Sequence, residues 1–303
     1  MATAFEVFHA QFAAQTQENV ILAPYTSARI GGPADLLVTV RNAGELEKAV
    51  LLCRANGLGF TLIGGGSNLL VSDKGIRGVV ILNKARAVEF REGEDPVVWA
   101  ESGAILSNLA HRAAANGFSG LEWAATVPGT IGGAVYGNAG AFGGDTAHDL
   151  LRADVLTMAG REWWPVEKMA YSYRSSVLKR GNENAIILAA EFKLKNGMPE
   201  SIQATIDQFT ARRKATQPPG ASMGSMFKNP PGDHAGRLIE AAGLKGTRIG
   251  NAEISTIHAN FFINHGETRA EDVKKLIELA KTTVKAHAGV DLELEVELIG
   301  EWE

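Results

Sequence analysis

The chain has a single cysteine in 303 residues, Cys53, so no intrachain disulfide can form. That scarcity fits a reducing compartment. Cys53 lies in ELEKAVLLCRANG, on the apolar stripe of a predicted helix, and reads as a core thiol rather than a nucleophile. The seven histidines are scattered without an HExxH or similar pair, so no metal site is expected. No stretch reaches the roughly 18 apolar residues that span a bilayer. The opening MATAFEVFHAQFAAQ lacks a basic start and a continuous apolar run, which argues against a signal peptide. No basic run stands out, and the formal net charge is −4. Nucleic acid is therefore not expected as the main partner, although a local cationic pocket is still allowed. Two common phosphate fingerprints are also missing: the G-x-G-x-x-G that opens a dinucleotide-binding helix and the G-x-x-x-x-G-K-[ST] of a P-loop.

What is present is glycine, 34 residues of it, concentrated in two segments. The first is LIGGGSNLLV, Leu62 to Val71; the second is TVPGTIGGAVYGNAGAFGG, Thr126 to Gly144. Glycine lacks Cβ and tolerates positive φ, so its N–H groups can come close to a bulky anion. The first segment taken alone reads equally well as a turn. In the second, Gly129, Gly132, Gly133, Gly137, Gly140, Gly143 and Gly144 alternate with apolar residues and not with the polar residues of a flexible linker. Both segments follow apolar stretches able to deliver them to one cleft. Together they point to a large ligand with a diphosphate, a dinucleotide cofactor rather than a lone phosphate.

The length predicts about two domains with ample core. Residues 1–83 read as a mixed α/β lobe: strands ADLLVTV and GFTLIGG flank a helix near Glu45 to Asn56, capped by Gly57. Residues 84–197 hold the strands AVEFRE, VVWAESGA, ADVLTMAG and AIILAAEFKLK, with a helix near Leu106 to Asn116. Pro199 suits a first helical turn, so a boundary falls near 197 and a third unit covers 198–303. There, Ile202, Ile206 and Phe209 share a helix face. Thr268-x-x-Glu271 has the pattern of a capping box, followed by an apolar face of Val273, Leu276, Ile277, Ala280 and Val284. The ending VDLELEVELI alternates as a strand, with Asp291, Glu293, Glu295 and Glu297 on one side.

Three further segments bear chemistry. YSYRSS places Arg174 among hydroxyls; GSMFKNP places Ser225 and Lys228 in a tight loop; the last strand offers four carboxylates. Each also has a plain reading, as a polar turn, a turn serine and a solvated sheet face.

In this order, GGGSNLLVSD, VPGTIGGAVYGNAGAFG, YSYRSS, GSMFKNP and LELEVELIG resemble the UDP-N-acetylenolpyruvoylglucosamine reductase family, from about Thr26 to Gly300. The glycine segments alone indicate only the broader vanillyl-alcohol-oxidase or p-cresol-methylhydroxylase type of FAD fold. The resemblance implies an α+β protein: a two-lobed FAD-binding domain of that type plus a C-terminal α/β substrate-binding domain. It implies an FAD-dependent NADPH oxidoreductase of peptidoglycan synthesis, acting in the cytoplasm on a small sugar nucleotide, with no nucleic-acid, membrane or obligate protein partner. The cofactor would be held by Gly64, Gly65, Gly66, Ser67, Asn68 and Leu69 from the first segment. Pro128, Gly129, Thr130, Gly132, Gly133, Asn138, Ala139 and Gly140 would hold it from the second.

Catalysis would fall to Arg174, Ser225 and Glu295, and substrate binding to Tyr173, Lys228 and Asn229. The first segment carries no histidine, and Ser67 stands where covalent-flavin relatives often have one, so noncovalent FAD is expected. About eight residues separate Ser176 from AIILAAEF, too few for the tyrosine-bearing loop of one family branch. The uridine would then need another partner, Arg212 or Arg213. Two alternatives are an FAD oxidase of the same fold and a flavin-binding subunit that only passes electrons to a partner. Neither has a use for GSMFKNP beside YSYRSS.

Overall fold

The computed structural model describes residues 3–181 and 184–302. The short connection after Ser176 passes through 182 and 183, which lie outside the described residues. Helix α1 (Ala4–Phe12) opens the chain with a capping box: the Thr3 hydroxyl accepts from the Glu6 N–H, and the Thr3 N–H donates to the Glu6 carboxylate. Then come β1 (Thr16–Ile21), β2 (Pro33–Val40), α2 (Ala43–Ala55), β3 (Phe60–Ile63), β4 (Leu69–Val71) and β5 (Ile76–Asn83). The first-lobe sheet runs β1-β2-β5-β3, with β2 and β3 both parallel to β5. Parallel strands need a crossover, and α2 supplies it between β2 and β3. Strand β2 is apolar on both sides because Leu36 and Val38 join one core and Ala34 and Leu37 another. Cys53 is fully buried on α2, and burial pushes its thiol up to about 11. It is a core residue, as its helical position predicts.

The second lobe contains β6 (Val88–Arg91), β7 (Val97–Glu101), α3 (Leu106–Ala115), β8 (Phe118–Ser119), α4 (Ile131–Gly137), β9 (Gly140–Ala141), β10 (Gly144–Asp145), α5 (Thr146–Asp149), β11 (Leu150–Leu156), β12 (Arg161–Pro165), β13 (Ile186–Lys193) and β14 (Lys195–Asn196). Its main sheet, β12-β11-β13-β7-β6, is antiparallel throughout. Helices α3 and α4 contribute Leu106, Leu109, Ile131 and Val135 to the core on that sheet.

The remainder comprises α6 (Pro199–Thr216), α7 (Ala235–Ala241), β15 (Arg248–Ile249), β16 (Ala252–Ile254), β17 (Phe262–Asn264), α8 (Ala270–Ala288) and β18 (Glu297–Ile299). Pro199 sits in the first turn of α6. The helix itself packs backward: Ile202 and Ile206 are buried in the second-lobe core. The third core therefore takes over after α6, and not at residue 197. That third core also takes in Ala28, Ile30 and Leu70 from the first lobe. Among the described residues no helix is long and apolar enough to cross a membrane.

Two local expectations change. Thr268 and Glu271 do not form a capping box; Arg269 takes the N-cap position of α8, and the Thr268 hydroxyl is buried without a partner. Asp73, just beyond β4, reaches over instead. Its carboxylate accepts from the N–H groups of Ala270 (2.8 Å) and Glu271 (3.1 Å). The expected long terminal strand is also shorter. Only Glu297–Ile299 pairs as a strand, parallel to β4. Before that, the segment exchanges hydrogen bonds with the loop around Met226: Lys228 N–H to the Glu293 carbonyl at 2.8 Å and Glu295 N–H to the Met226 carbonyl at 3.0 Å. The segment changes partner midway, which ends regular pairing.

Candidate active site

The two glycine segments meet. A Cβ on Gly65 would stand 3.0 Å from the Cα of Gly129, and one on Gly129 would stand 2.7 Å from the Ser67 hydroxyl. Gly66 adopts φ +59°, and a Cβ there would overlap the Tyr25 carbonyl oxygen. Among the described residues, the N–H groups of Gly65, Gly66, Ser67 and Asn68 donate to no acceptor. A run of free backbone donors is a concave anion site. It opens into a cavity of about 650 Å³, within the range of small-molecule and cofactor sites.

Of the expected cofactor residues, Gly64 to Leu69, Pro128, Gly129, Thr130, Gly132, Gly133, Ala139 and Gly140 line this cavity. Asn138 stands behind it. Its φ of +50° ends α4, its carboxamide donates to the Ser172 carbonyl at 3.1 Å, and it accepts from the Ala147 N–H at 2.9 Å.

Another part of the cavity lining carries side chains. Ser172 and Ser175 exchange backbone hydrogen bonds at 3.1 Å, making a tight turn with Tyr173 and Arg174 at its tip. Arg174 takes φ +53°, a left-handed conformation that costs about 1–2 kcal/mol for a residue with Cβ. Strain of this kind concentrates at functional sites. The turn sends the guanidinium into the cavity, where it donates to the carbonyls of Gly140 (2.7 Å) and Asn138 (3.4 Å). Its Nε lies 2.9 Å from the Glu295 carboxylate. That Nε–H is not aimed at the oxygen for a hydrogen bond, so the contact is electrostatic. Ser225 reaches the same cavity from a bridge with Phe261.

The substrate residues expected beside Ser225 are placed differently. Lys228 does not line the cavity; its ammonium pairs with Glu293. The Asn229 side chain accepts from the Ala235 N–H at 3.1 Å, at the start of α7. Tyr173 is 54% exposed, with the Arg174 guanidinium 5.4 Å from its ring.

Residues 34–164 match the FAD binding domain family, and residues 215–299 match the family described as UDP-N-acetylenolpyruvoylglucosamine reductase, C-terminal domain. The UDP-N-acetylenolpyruvoylglucosamine reductase of Chloroflexus aggregans is 46% identical over 286 residues, covering 93% of this chain and 96% of that protein. The same enzyme of Rubrobacter xylanophilus is 44% identical, covering 92% of this chain and 94% of that protein. A crystal structure of UDP-N-acetylenolpyruvylglucosamine reductase from Thermus caldophilus superposes with a TM-score of 0.79 at 37% identity, covering 92% of this chain and 97% of that one. The chain belongs to the UDP-N-acetylenolpyruvoylglucosamine reductase family. A segment matching the FAD binding domain family is joined to the family's C-terminal domain, as its motifs imply.

The glycine wall fits the FAD of this reductase family. It offers free N–H donors, and it is a cradle that added Cβ atoms would crowd. The charged wall fits an anionic partner. Glu295 is set apart from its neighbours: its side chain is 19% exposed, against 81% for Asp291, 71% for Glu293 and 32% for Glu297. Burial pushes its carboxyl above the usual range, and the cations of Arg174, Lys179 and Lys228 pull the other way.

Residue types alone did not single out Lys179, Tyr136 or the turn residue Phe142, all of which line the cavity. Lys179 closes YSYRSSVLK as one more polar residue, and only folding turns it inward. The Tyr136 hydroxyl is pushed up to about 12, first by burial and then by the Glu297 carboxylate. Phe142, at φ +53°, stacks on Phe209 of α6 with centroids 4.5 Å apart. Of the two arginines considered for uridine, Arg213 lines the cavity and donates to the Thr126 hydroxyl at 3.2 Å. Arg212 lies over the Phe142 ring instead.

Proposed function

We propose that this chain reduces UDP-N-acetylglucosamine enolpyruvate to UDP-N-acetylmuramate, with NADPH as the electron source and FAD as a noncovalent cofactor. The reaction is a step of peptidoglycan synthesis, and the cytoplasm supplies both the sugar nucleotide and NADPH. The observation that carries this reading is the convergence of Arg174, Ser225 and Glu295 on the cavity that holds the free N–H groups of residues 65–68. When bound, FAD supplies hydride chemistry, accepting a hydride from NADPH and delivering one to the methylene carbon of the enolpyruvyl group.

The protein residues handle the charge and the proton. Hydride addition to the methylene carbon leaves negative charge on the adjacent carbon and its carboxylate. Arg174 is preorganised to face that charge, since its guanidinium is already fixed by two backbone carbonyls. Ser225 gives its hydroxyl proton to the adjacent carbon; a hydroxyl is a weak acid, but a carbanion-like centre is a strong enough base. Glu295 aligns the carboxyl end of the substrate beside Arg174. Arg213 is the arginine in position to hold the far end of the sugar nucleotide. Ser67 offers no imidazole for flavin attachment.

The test is anaerobic. The flavin is reduced with NADPH, the enolpyruvyl sugar nucleotide is added, and flavin reoxidation is followed by absorbance. Rapid reoxidation supports the reading. Reoxidation by oxygen but not by the sugar nucleotide would move the chain to an oxidase role.

A further inference from the structure

Residue 295 is tied to all three parts of the molecule. Its N–H donates to the Met226 carbonyl at 3.0 Å, in the C-terminal domain. Its carbonyl accepts from the Asn68 carboxamide at 2.9 Å, in the first-lobe cofactor loop. The same carbonyl lies 3.5 Å from the Lys179 ammonium, which comes from the second lobe. Lys179 is itself firmly rooted. Its N–H donates to the hydroxyl of the fully buried Ser176 at 3.1 Å, and that hydroxyl donates to the Tyr136 carbonyl at 2.6 Å. The Lys179 side chain is only 15% exposed, and its ammonium pairs with Glu297 at 3.4 Å.

We propose that Lys179 is a positioning residue: its ammonium pins the terminal segment from the second-lobe side and holds the Glu295 carboxylate beside Arg174. The inference rests on the reading of Glu295 as part of the reducing site. The charged and titratable groups around Glu295 are few enough to apportion. Arg174 faces it from the 172–175 turn and also serves the Gly140 and Asn138 carbonyls. Lys228 approaches from the Ser225 loop, but its charge is already matched by Glu293. Tyr136 of α4 faces the neighbouring Glu297 and stays neutral at ordinary pH, its hydroxyl pushed up to about 12. Glu297 is a second carboxylate of the same segment that lines the cavity, and Lys179 sits against it. Lys179 thus both pairs with a carboxylate two residues from Glu295 and contacts the backbone carbonyl of residue 295 itself. An opposite charge nearby favours the ionised carboxylate.

The test is a direct titration of Glu295 by carbon NMR in flavin-loaded protein with labelled glutamate carboxyls, the signal assigned by its loss in Glu295→Gln. In Lys179→Met the Glu295 midpoint moves to higher pH, and flavin reoxidation by substrate slows about tenfold at unchanged flavin content. Lys179→Arg restores both. Lys179→Gln keeps a hydrogen-bond donor without the charge and still shifts the midpoint, so the proposal stays testable if the methionine variant fails to fold. A Glu295 midpoint unmoved in both uncharged variants overturns the proposal. If Glu295→Gln itself reoxidises normally, the catalytic reading of Glu295 fails, while the titration still reports whether Lys179 holds that carboxyl.

Discussion

The cavity has two unlike walls. The wall from the glycine segments presents backbone: free N–H groups and surfaces without Cβ. The wall from the 172–175 turn and the C-terminal domain presents the charged and hydroxyl side chains Arg174, Ser225 and Glu295. Backbone donors do not titrate and persist through every substitution but proline, so the first wall fails chiefly when something fills its space. The second wall responds to pH and to single substitutions, and it depends on which residues the register of each segment turns inward. On the proposed reading, one wall holds a group and the other reacts with it.

Substitutions separate the two walls, beginning with the largest effect. Ser225→Ala strikes only the reactive wall. Flavin content and reduction by NADPH stay near normal, while reoxidation by the sugar nucleotide falls by roughly 10²–10⁴-fold, the usual worth of general acid catalysis. Stopped-flow absorbance measures both halves, and near-normal reoxidation would return Ser225 to a turn residue. Gly66→Ala strikes only the holding wall. A residue with Cβ in the left-handed region costs about 1–2 kcal/mol, and the Tyr25 carbonyl leaves it no room. The expected result is protein that loses flavin on gel filtration, with any retained flavin still reoxidised by substrate. Full flavin retention would mean the loop relaxes freely.

Glu295→Ala slows reoxidation by at least roughly tenfold, about 1.4 kcal/mol of barrier. Glu293→Ala leaves the rate near normal, because that side chain is 71% exposed. A reversed outcome would place the wrong carboxylate in the cleft. The reactive wall also has a pH signature in stability. Burial raises the Glu295 carboxyl, so the folded chain holds that proton more tightly than the unfolded chain. The contribution is therefore favourable at low pH, falls as pH rises from the ordinary carboxyl range through the raised value, and stays lost above it. Urea unfolding across roughly pH 4 to 8 should show a shallower decline in Glu295→Gln than in the parent. An identical slope would mean that Glu295 titrates normally. The smallest effect belongs to Lys228→Ala. Its ammonium is paired with an exposed glutamate, and such pairs contribute about 0–1 kcal/mol. Sugar-nucleotide affinity measured by calorimetry should change by only a few-fold, and a large loss would mean that Lys228 leaves Glu293 when substrate binds.

The holding wall was readable from residue type. Glycines 64–66 alone read equally well as a turn, but those of the second segment, set among apolar residues, marked close backbone packing, and the two segments do meet. The helix and strand patterns were readable for the same reason: the apolar faces of α2 and α8 are buried as their spacing requires. Patterns that depend on a distant competitor were not. Thr3 with Glu6 and Thr268 with Glu271 have the same capping-box spacing, yet only the first forms. At the second, Asp73 from another part of the chain satisfies the N–H groups first. Likewise, period-two alternation put Asp291, Glu293, Glu295 and Glu297 on one side without choosing among them. The terminal segment leaves the Met226 loop for β4, which carries Glu295 and Glu297 into the cleft, Glu295 the more buried, and leaves Asp291 and Glu293 in water. Local sequence determined where backbone had to be bare and which faces had to be buried, because those preferences act within a few residues. At the cleft, which charged side chain met which partner was decided by contacts between distant segments, 65 residues apart for Lys228 with Glu293 and 227 for Asn68 with Glu295, and no local preference encodes them.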